Sequence, residues 1–165
     1  MRIVRSLRSL FSIPAAILVL AALTQPAAAG LEEALKALQA GDMPTTEKEL
    51  QLLAKERDPR AQFLLGLYVY GNPESKLHDA AKATPLLLDA AERGYLPAIL
   101  PLAGAYVDGK GVPKNAIEAY KWVAIAAYWN VVNADLALEQ AAQLLKPDDV
   151  EKTKAAAKAY DFKTQ

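Results

Sequence analysis

The sequence predicts an all-α protein, a short α-solenoid of about eight helices in antiparallel pairs. The first reason is a repeat, because the pattern of small and apolar residues that starts at Ala61 recurs at Ala98, 37 residues later. The second reason is that no segment shows the sustained apolar and polar alternation of a half-buried strand. A fixed period of this length is typical of stacked helix pairs, each of which buries its apolar face only against a neighbour.

Both helices of the predicted pair repeat. In the first helix, Ala61, Leu65, Gly66 and Val69 correspond to Ala98, Leu102, Ala103 and Tyr106. In the second helix, at an offset of 36 residues, Lys82, Ala83, Leu86, Ala90, Ala91 and Gly94 correspond to Glu118, Ala119, Trp122, Ala126, Ala127 and Asn130. We expect the alanines to let helices approach closely and the aromatic side chains to contact two helices at once.

Start and stop signals delimit the elements. The predicted helices cover residues 31–40, 47–55, 61–70, 80–93, 97–108, 116–129, 134–145 and 147–161. The predicted N-caps are Thr45 or Thr46, Asp79 and Asn115, whose side-chain oxygens can accept hydrogen bonds from the first helical N–H groups. Asp58-Pro59 is predicted to start the third helix, because proline suits the first helical position. Gly41, Gly94 and Asn130 are predicted to end helices in the left-handed conformation. Pro85 lies inside the fourth helix, so we expect a kink there.

The first 29 residues have the layout of a secretory signal peptide. Three arginines precede an uncharged apolar run from Leu10 to Leu23, and residues 27–29 are alanines. We predict cleavage after Ala29 and a location in the periplasm or outside the cell. A retained membrane anchor is the alternative, but the apolar run is shorter than the roughly 20 residues that span a bilayer.

The composition of the remaining 136 residues excludes several classes of function. They hold 16 basic and 19 acidic residues, a formal charge of −3, which gives no electrostatic basis for binding nucleic acid or anionic lipid. The chain has no cysteine, so no disulfide can form and helix packing alone must stabilise the fold.

The second repeat resembles the SEL-one-like repeat family, a relative of the tetratricopeptide repeats. The family pattern contains Ala, Leu-Gly, Tyr, Gly-x-Gly-Val, Asp, Lys-Ala, Trp, Ala-Ala and Gly at set spacings. The matching residues are Ala98, Leu102, Tyr106, Gly109, Gly111, Val112, Ala119, Trp122, Ala126 and Ala127, with Ala103, Asn115 and Glu118 as mild departures. The first repeat has Val69 at the tyrosine position and lacks the Gly-x-Gly-Val loop. Residues 145–149 resemble the segment that often closes such arrays.

The resemblance implies a right-handed, tetratricopeptide-like α-solenoid whose exposed surfaces bind other proteins. It divides the chain into a signal peptide at 1–29, an N-terminal capping helix pair at 30–60, two repeats at 61–97 and 98–133, and a C-terminal capping pair at 134–165. It also implies that the partner is a signalling protein or an envelope enzyme that is regulated by binding.

We find no active-site constellation, and we predict no catalytic, cofactor-binding or metal-ligating residue. His78 and Asp79 could form half of a proton-transfer device, but an exposed loop histidine beside a helix cap is the simpler interpretation. The acidic residues at 148, 149 and 151 suit a helix N-terminus and lack the spacing of a calcium loop. Residues 109–111 lack the following Lys-Ser/Thr of a phosphate-binding loop, and we interpret them as a turn.

Two surfaces are candidates for binding a partner. The helix predicted at 116–129 has two charges in 14 residues, and the side chains that point away from its core stripe are Ile117, Ala124, Ile125 and Tyr128. Either the C-terminal helix covers this face, or it forms an exposed patch for a partner or a second copy of the chain. The other candidate is the concave face formed by the first helix of each pair, where we expect Gln62, Tyr70, Leu100 and Asp108.

The sequence therefore predicts a non-enzymatic, exported scaffold or regulator that binds a protein partner, without a cofactor and without membrane insertion after cleavage. Two alternatives stay open. One is a cell-envelope hydrolase that acts on peptidoglycan or β-lactams, although the sequence supplies no good pair of nucleophile and base. The other is a structural subunit that forms a homo-oligomer through the face of Ile125 and Tyr128.

Overall fold

The computed structural model describes residues 26–163, and every regular element in that range is helical. The α-helices are α1 (Pro26–Ala40), α2 (Met43–Lys55), α3 (Pro59–Leu64), α4 (Ala80–Glu92), α5 (Ile99–Asp108), α6 (Ala116–Tyr128), α7 (Ala134–Ala142) and α8 (Pro147–Lys158). A π-helical turn, Leu65–Val69, extends α3, and a 3₁₀ turn, Leu96–Ala98, precedes α5. The prediction of an all-α solenoid is confirmed. Most of the predicted signal peptide lies outside the described residues.

The predicted caps Asp79 and Asn115 are confirmed, and Asp58, predicted to start the third helix, also acts as a cap. Asp58 accepts a hydrogen bond from the Arg60 N–H, Asp79 accepts from the N–H groups of two residues in α4, and Asn115 accepts from the Glu118 N–H. Each cap satisfies N–H groups that have no partner within the helix, so the side chain fixes where the helix begins.

The predicted cap of α2 is wrong. The helix begins at Met43, four residues earlier than expected, and Asp42 caps it by accepting bonds from the N–H and the hydroxyl of Thr45. Thr46 is buried, and its hydroxyl donates to the backbone carbonyl of Asp42 at 2.7 Å. The earlier start is possible because Pro44 falls in the first turn, where its missing N–H has no helical partner to lose.

The predicted stop signals act as expected. Gly41, Gly94 and Asn130 have φ values of 74°, 79° and 55°, in the left-handed region. Pro85 remains inside α4 and is exposed, and the kink expected there stays a prediction. No helix among the described residues combines the length and apolar character needed to cross a membrane.

The core forms two clusters along the chain. The first joins α1 to α4 around Leu50, Leu65 and Val69, and the second joins α4 to α8 around Trp122 and Ile125. Helix α6 is the centre of the second cluster because α5, α7 and α8 all pack on it. Helices α5 and α7 both pack on α6, and an open hollow lies between them.

A tight contact joins the loop after α5 to α4. Gly111 has a φ of 69°, and a methyl group on it would lie 1.9 Å from the carbonyl oxygen of Ala80. Beside it, the Thr84 hydroxyl donates to the carbonyl of Lys110 at 2.7 Å. Only glycine fits at position 111. The close contact and the hydrogen bond from Thr84 together hold Lys110 near the end of α5.

Candidate functional site: an inner groove

A hollow of about 510 Å³ lies between α5 and α7. Its floor is made by the buried side chains of Ala103, Val123 and Ala141. Its walls are lined by Leu100, Val107 and Asp108 from α5, by Leu136, Ala137 and Gln140 from α7, and by Asn133 and Leu144 at the two ends of α7. The floor belongs to the core, and the packing of α5 and α7 on α6 forms the hollow.

The walls of this hollow carry large apolar side chains that the fold leaves open to solvent. Val107 is 40% exposed, Leu136 is 59% exposed and Leu144 is 53% exposed. Scattered single apolar residues on a surface need no explanation, but a group of them around one concavity makes it a candidate binding site. The polar groups in the same walls are one carboxylate and two amides, from Asp108, Asn133 and Gln140.

A second hollow, of about 200 Å³, lies between the π-helical turn after α3, helix α4 and helix α5, and it continues the first. The two share Gly104 and Asp108 on α5. Leu67 and Pro101 contribute apolar surface to the second hollow. We call the two hollows together the inner groove; it runs from the π-helical turn that extends α3, across α5, to α7.

Gly104 is exposed at the centre of the inner groove. A methyl group added to it would meet no other atom within 4 Å. The backbone of α5 is therefore bare at the point where the two hollows join, and a ligand can approach it closely.

The helices that form the larger hollow carry negative charge only. Between them, α5 and α7 contain Asp108, Asp135 and Glu139 and no lysine or arginine. Lys110 Nζ lies 2.7 Å from Asp108 Oδ2, and this hydrogen bond, together with the charges of Lys110 and Lys114, holds the pKa of Asp108 below its usual range. Asp135 and Glu139 are exposed and form no ion pair with any residue of the described range.

Two of the four residues expected on the concave face line the inner groove. Leu100 and Asp108 do so, as predicted. Gln62 and Tyr70 do not, because both are buried in polar networks. The Gln62 amide donates to the carboxylate of Asp89.

The network of Tyr70 lies on another side of the molecule. Its hydroxyl donates to Glu47 Oε1 at 2.6 Å and accepts from Gln51 Nε2 at 2.8 Å. Burial, together with the hydrogen bond to Glu47, raises the pKa of Tyr70. The ring lines a separate hollow of about 400 Å³, which includes residues of α2 and α4, so its expected place in the groove is wrong.

The apolar face predicted on α6 is not a continuous exposed patch. Ile125 is fully buried and Ala124 nearly so, because α8 packs over this part of α6. Of the alternatives, coverage by the C-terminal helix is therefore correct, and the expectation that Ile125 is exposed is wrong. Ile117 and Tyr128 are exposed, but 11 residues of helix place them about 16 Å apart along the axis.

The residues considered for chemistry have ordinary structural roles. Asp79 caps α4 as expected, and Gly109 and Gly111 form a turn with φ values of 73° and 69°. Asp148 and Asp149 lie in the first turn of α8. His78 lines the smaller hollow. Between residues 26 and 163, no three His, Cys, Asp or Glu side chains are grouped so that they could hold a metal ion.

Four further residues line the groove that the sequence did not single out: Gly104, Val107, Leu136 and Leu144. A signal for the two leucines exists in the helix predicted at residues 134–145, where Ala134, Leu138, Ala141 and Leu145 form the stripe that faces the core. Leu136 and Leu144 lie off that stripe, eight residues apart, and therefore on one common side of the helix. Apolar residues at helical spacing outside the core stripe predict a second apolar surface.

A comparison with solved structures identifies the fold. The fold is similar to that of a protective antigen present in uropathogenic Escherichia coli strains, which displays an SLR (SEL-one-like repeat) fold, with a TM-score of 0.70 and 20% sequence identity. The match covers 82% of this chain but 30% of that protein, so this chain spans less than a third of its length. No family model matches the sequence, and a search of curated proteins finds no relative. The chain has the SLR fold, and the resemblance seen in the repeats is confirmed at the level of the fold.

Proposed function

We propose that this protein is a non-enzymatic interaction module that binds a segment of a partner protein in its inner groove. The observation that carries the proposal is the exposure of Val107, Leu136 and Leu144 around one concavity. Repeat solenoids commonly bind through the extended concave surface that stacked helix pairs create. Covering one such leucine completely would contribute up to about 1.5–3 kcal/mol to binding.

The chemistry of the groove supports binding over catalysis. The larger hollow offers a carboxylate and two amides, none of which is a nucleophile beside a base. In the smaller hollow, the Thr84 hydroxyl is already engaged with the carbonyl of Lys110. Purified protein that hydrolyses a chromogenic β-lactam would favour the envelope hydrolase instead.

We also propose that the protein is exported and acts in the periplasm or envelope of a bacterium. The arginine-rich start, the apolar run and the alanines before Gly30 support cleavage by a signal peptidase. The structurally similar protein is a protective antigen, which agrees with exposure outside the cytoplasm. Cell fractionation and the N-terminal sequence of the mature protein test this, and an intact N-terminus in the cytoplasmic fraction would contradict it.

Site-specific photo-crosslinking tests the groove in cells. The full chain carries a photoreactive phenylalanine analogue at position 136, and a matched protein carries it at position 156, an exposed alanine on α8 that lines none of the hollows described above. We expect a discrete adduct from position 136 only, lost when Leu144→Asp is added. Equal adducts from both positions, or none from position 136, would argue against a groove-binding module. The mass of the purified protein in solution shows whether a second copy is the occupant.

A further inference from the structure

The hollow of about 400 Å³ between α2 and α4 is separate from the inner groove, and the two share no lining residue. We call it the α2–α4 hollow. Its walls are formed by Gln51, Ala54 and Lys55 of α2 and by Lys82, Pro85 and Leu86 of α4. Residues three and four apart lie on one face of a helix, so each wall is a single helix face. A volume of this size is in the range of pockets that hold small molecules.

The floor of the α2–α4 hollow is apolar and belongs to the core. Leu65 is 1% exposed and Tyr70 is 4% exposed, and both are members of the first core cluster. The hydroxyl of Tyr70 is bonded to Glu47 and Gln51, so the ring is tied to α2. Leu86 is half-buried in the opposite wall. A ligand in this hollow would therefore cover leucine side chains and an aromatic ring.

The charged side chains that line the α2–α4 hollow are two lysines, one on each wall. Lys55 forms no ion pair with any residue between 26 and 163. Lys82 Nζ lies 3.6 Å from Asp79 Oδ2 and 5.3 Å from the centroid of the Tyr70 ring, and its side chain is 63% exposed. Glu47 does not line the hollow, and its carboxylate accepts the hydrogen bond from Tyr70. The hollow is therefore locally positive in a chain whose formal charge after residue 29 is −3.

Pro85 occupies a position that is unfavourable for its helix. Proline inside a helix removes one backbone hydrogen bond and destabilises the helix. Pro85 is exposed, so burial in the core does not offset this cost. Its ring lines the α2–α4 hollow instead, where it adds rigid apolar surface.

We propose that the α2–α4 hollow is a second binding site, which takes a small carboxylic acid with an apolar tail, such as a medium-chain fatty acid. The tail would cover the floor made by Leu65 and Tyr70 and the side chain of Leu86. The carboxylate would lie between the two walls, where Lys55 and Lys82 can donate charge-assisted hydrogen bonds to it.

The size and the charge of the α2–α4 hollow favour this ligand over other occupants. Residues 51–55 and 82–86 each cover about 6 Å of helix, which is short for a helix or a strand of a partner protein. An apolar cation would be repelled by both lysines. A small anion without a tail would leave the apolar floor uncovered.

The test follows the backbone amide signals of the purified protein by NMR while a probe is added. The probes are sodium decanoate below its micelle concentration, decyltrimethylammonium, which has the same tail and the opposite charge, and acetate, which has the same head and no tail. We expect decanoate to shift signals of residues 51–55 and 82–86 until the site is saturated. The other two probes should bind at least about tenfold more weakly. Equal binding of decanoate and decyltrimethylammonium, or shifts confined to other parts of the chain, would overturn the proposal.

Lys55→Gln combined with Lys82→Gln tests the two charges. The matched control is Lys76→Gln combined with Lys152→Gln, which removes two exposed lysines that line none of the hollows described above. We expect the first pair to weaken decanoate binding by about tenfold or more, and the control to bind like wild type. Added salt should weaken decanoate binding by the wild-type protein more than by the first pair. Decanoate binding that is the same in both pairs would contradict the role of the lysines and overturn the proposal.

Ala54→Phe tests the hollow itself, because the larger side chain would fill it. We expect the variant to lose decanoate binding while its helicity, measured by circular dichroism, stays unchanged. Should Ala54→Phe unfold the protein, Leu86→Phe provides the same test from the opposite wall. A folded variant that binds decanoate like wild type would place the ligand elsewhere and overturn the proposal.

This inference and the proposed function can fail separately, because they concern different surfaces. Loss of decanoate binding in Lys55→Gln with Lys82→Gln, together with an unchanged crosslink at position 136, would support two independent sites. Decanoate that suppresses the crosslink at position 136 and leaves the signals of residues 51–55 and 82–86 unshifted would place the probe in the inner groove. That result would overturn the second site and leave the proposed function standing.

Discussion

Gly66, in the π-helical turn that extends α3, and Gly104, in α5, have opposite surroundings. A methyl group at Gly66 would lie 2.9 Å from Cγ of Leu87 and 3.0 Å from the carbonyl oxygen of Ala83. A methyl group at Gly104 would meet nothing within 4 Å. The first glycine allows α4 to approach closely, and the second keeps the inner groove open.

This contrast predicts alanine substitutions of opposite sign. Gly66→Ala should destabilise the protein by about 1–3 kcal/mol, because Leu87 and the backbone of α4 must move to make room. Gly104→Ala should stabilise it by about 0.5–1 kcal/mol, because alanine has less backbone freedom to lose on folding. The free energy of unfolding in urea measures both changes. Two changes of the same sign would contradict the explanation.

Asp89 is the centre of a polar network that joins α4 to the start of α3. Its carboxylate accepts hydrogen bonds from Gln62 and, at 2.8 Å, from Arg57 Nη2, and Arg93 Nε lies 3.5 Å away. Asp89→Asn should cost about 1–3 kcal/mol, since it leaves the largely buried Arg93 without a counter-charge. Urea unfolding at neutral pH measures the loss, and Lys36→Ala, which removes a fully exposed ion pair, should change the stability little.

The same network predicts a dependence on pH. Burial raises the pKa of Asp89, but the hydrogen bonds from Arg57 and Gln62 and the charges of Arg57 and Arg93 outweigh it and hold the pKa below its usual value. The unfolded chain therefore takes up a proton first as the pH falls, so the stabilisation is present above a pH of about 3.9 and is lost below it. In Asp89→Asn, this part of the loss of stability at low pH disappears. The free energy of unfolding, measured in urea at several pH values between pH 5 and about pH 2, should fall less steeply with decreasing pH in the variant.

Ile125 and Tyr128 lie one helical turn apart on α6 but should respond differently to substitution. Ile125→Ala removes a fully buried side chain and should cost about 2–5 kcal/mol. Tyr128→Ala removes a ring that is 57% exposed and should change the stability by less than about 1 kcal/mol. Thermal unfolding followed by circular dichroism compares them. A large loss in Tyr128→Ala would mean that its ring stabilises the fold.

The parts of the structure that local chemistry determines could be predicted from the sequence. Asn115 caps a helix through its own side chain, and Gly94 ends one through its own backbone. Each effect depends only on residues nearby in the sequence. The exposure of Ile125 could not be predicted, because it depends on α8 folding back over α6. Gln62 was misplaced for the same reason, since its partner Asp89 is 27 residues away.

The last residues of the described chain, 160–163, pack aromatic side chains on the rest of the fold, and we call this segment the aromatic strap. The ring of Phe162 lies 5.5 Å from that of Trp129, and that of Tyr160 lies 5.4 Å from that of Trp122, measured between ring centroids. Phe162 also packs on Gly94, and Lys163 pairs with Glu92 through both backbone and side chain. Residues 160–163 therefore connect the end of the chain to α4 and α6.

Phe162→Ala should lower the free energy of unfolding by about 1–3 kcal/mol, because the ring is partly buried against Trp129 and Gly94. The chain has two tryptophans, and Trp129 is the exposed one, so the variant should also shift the fluorescence emission to longer wavelength. Lys163→Ala is the control, since it removes only the exposed side-chain ion pair and keeps the backbone hydrogen bond. A Lys163→Ala protein as unstable as Phe162→Ala would show that the ion pair, and not the aromatic contact, holds the strap in place.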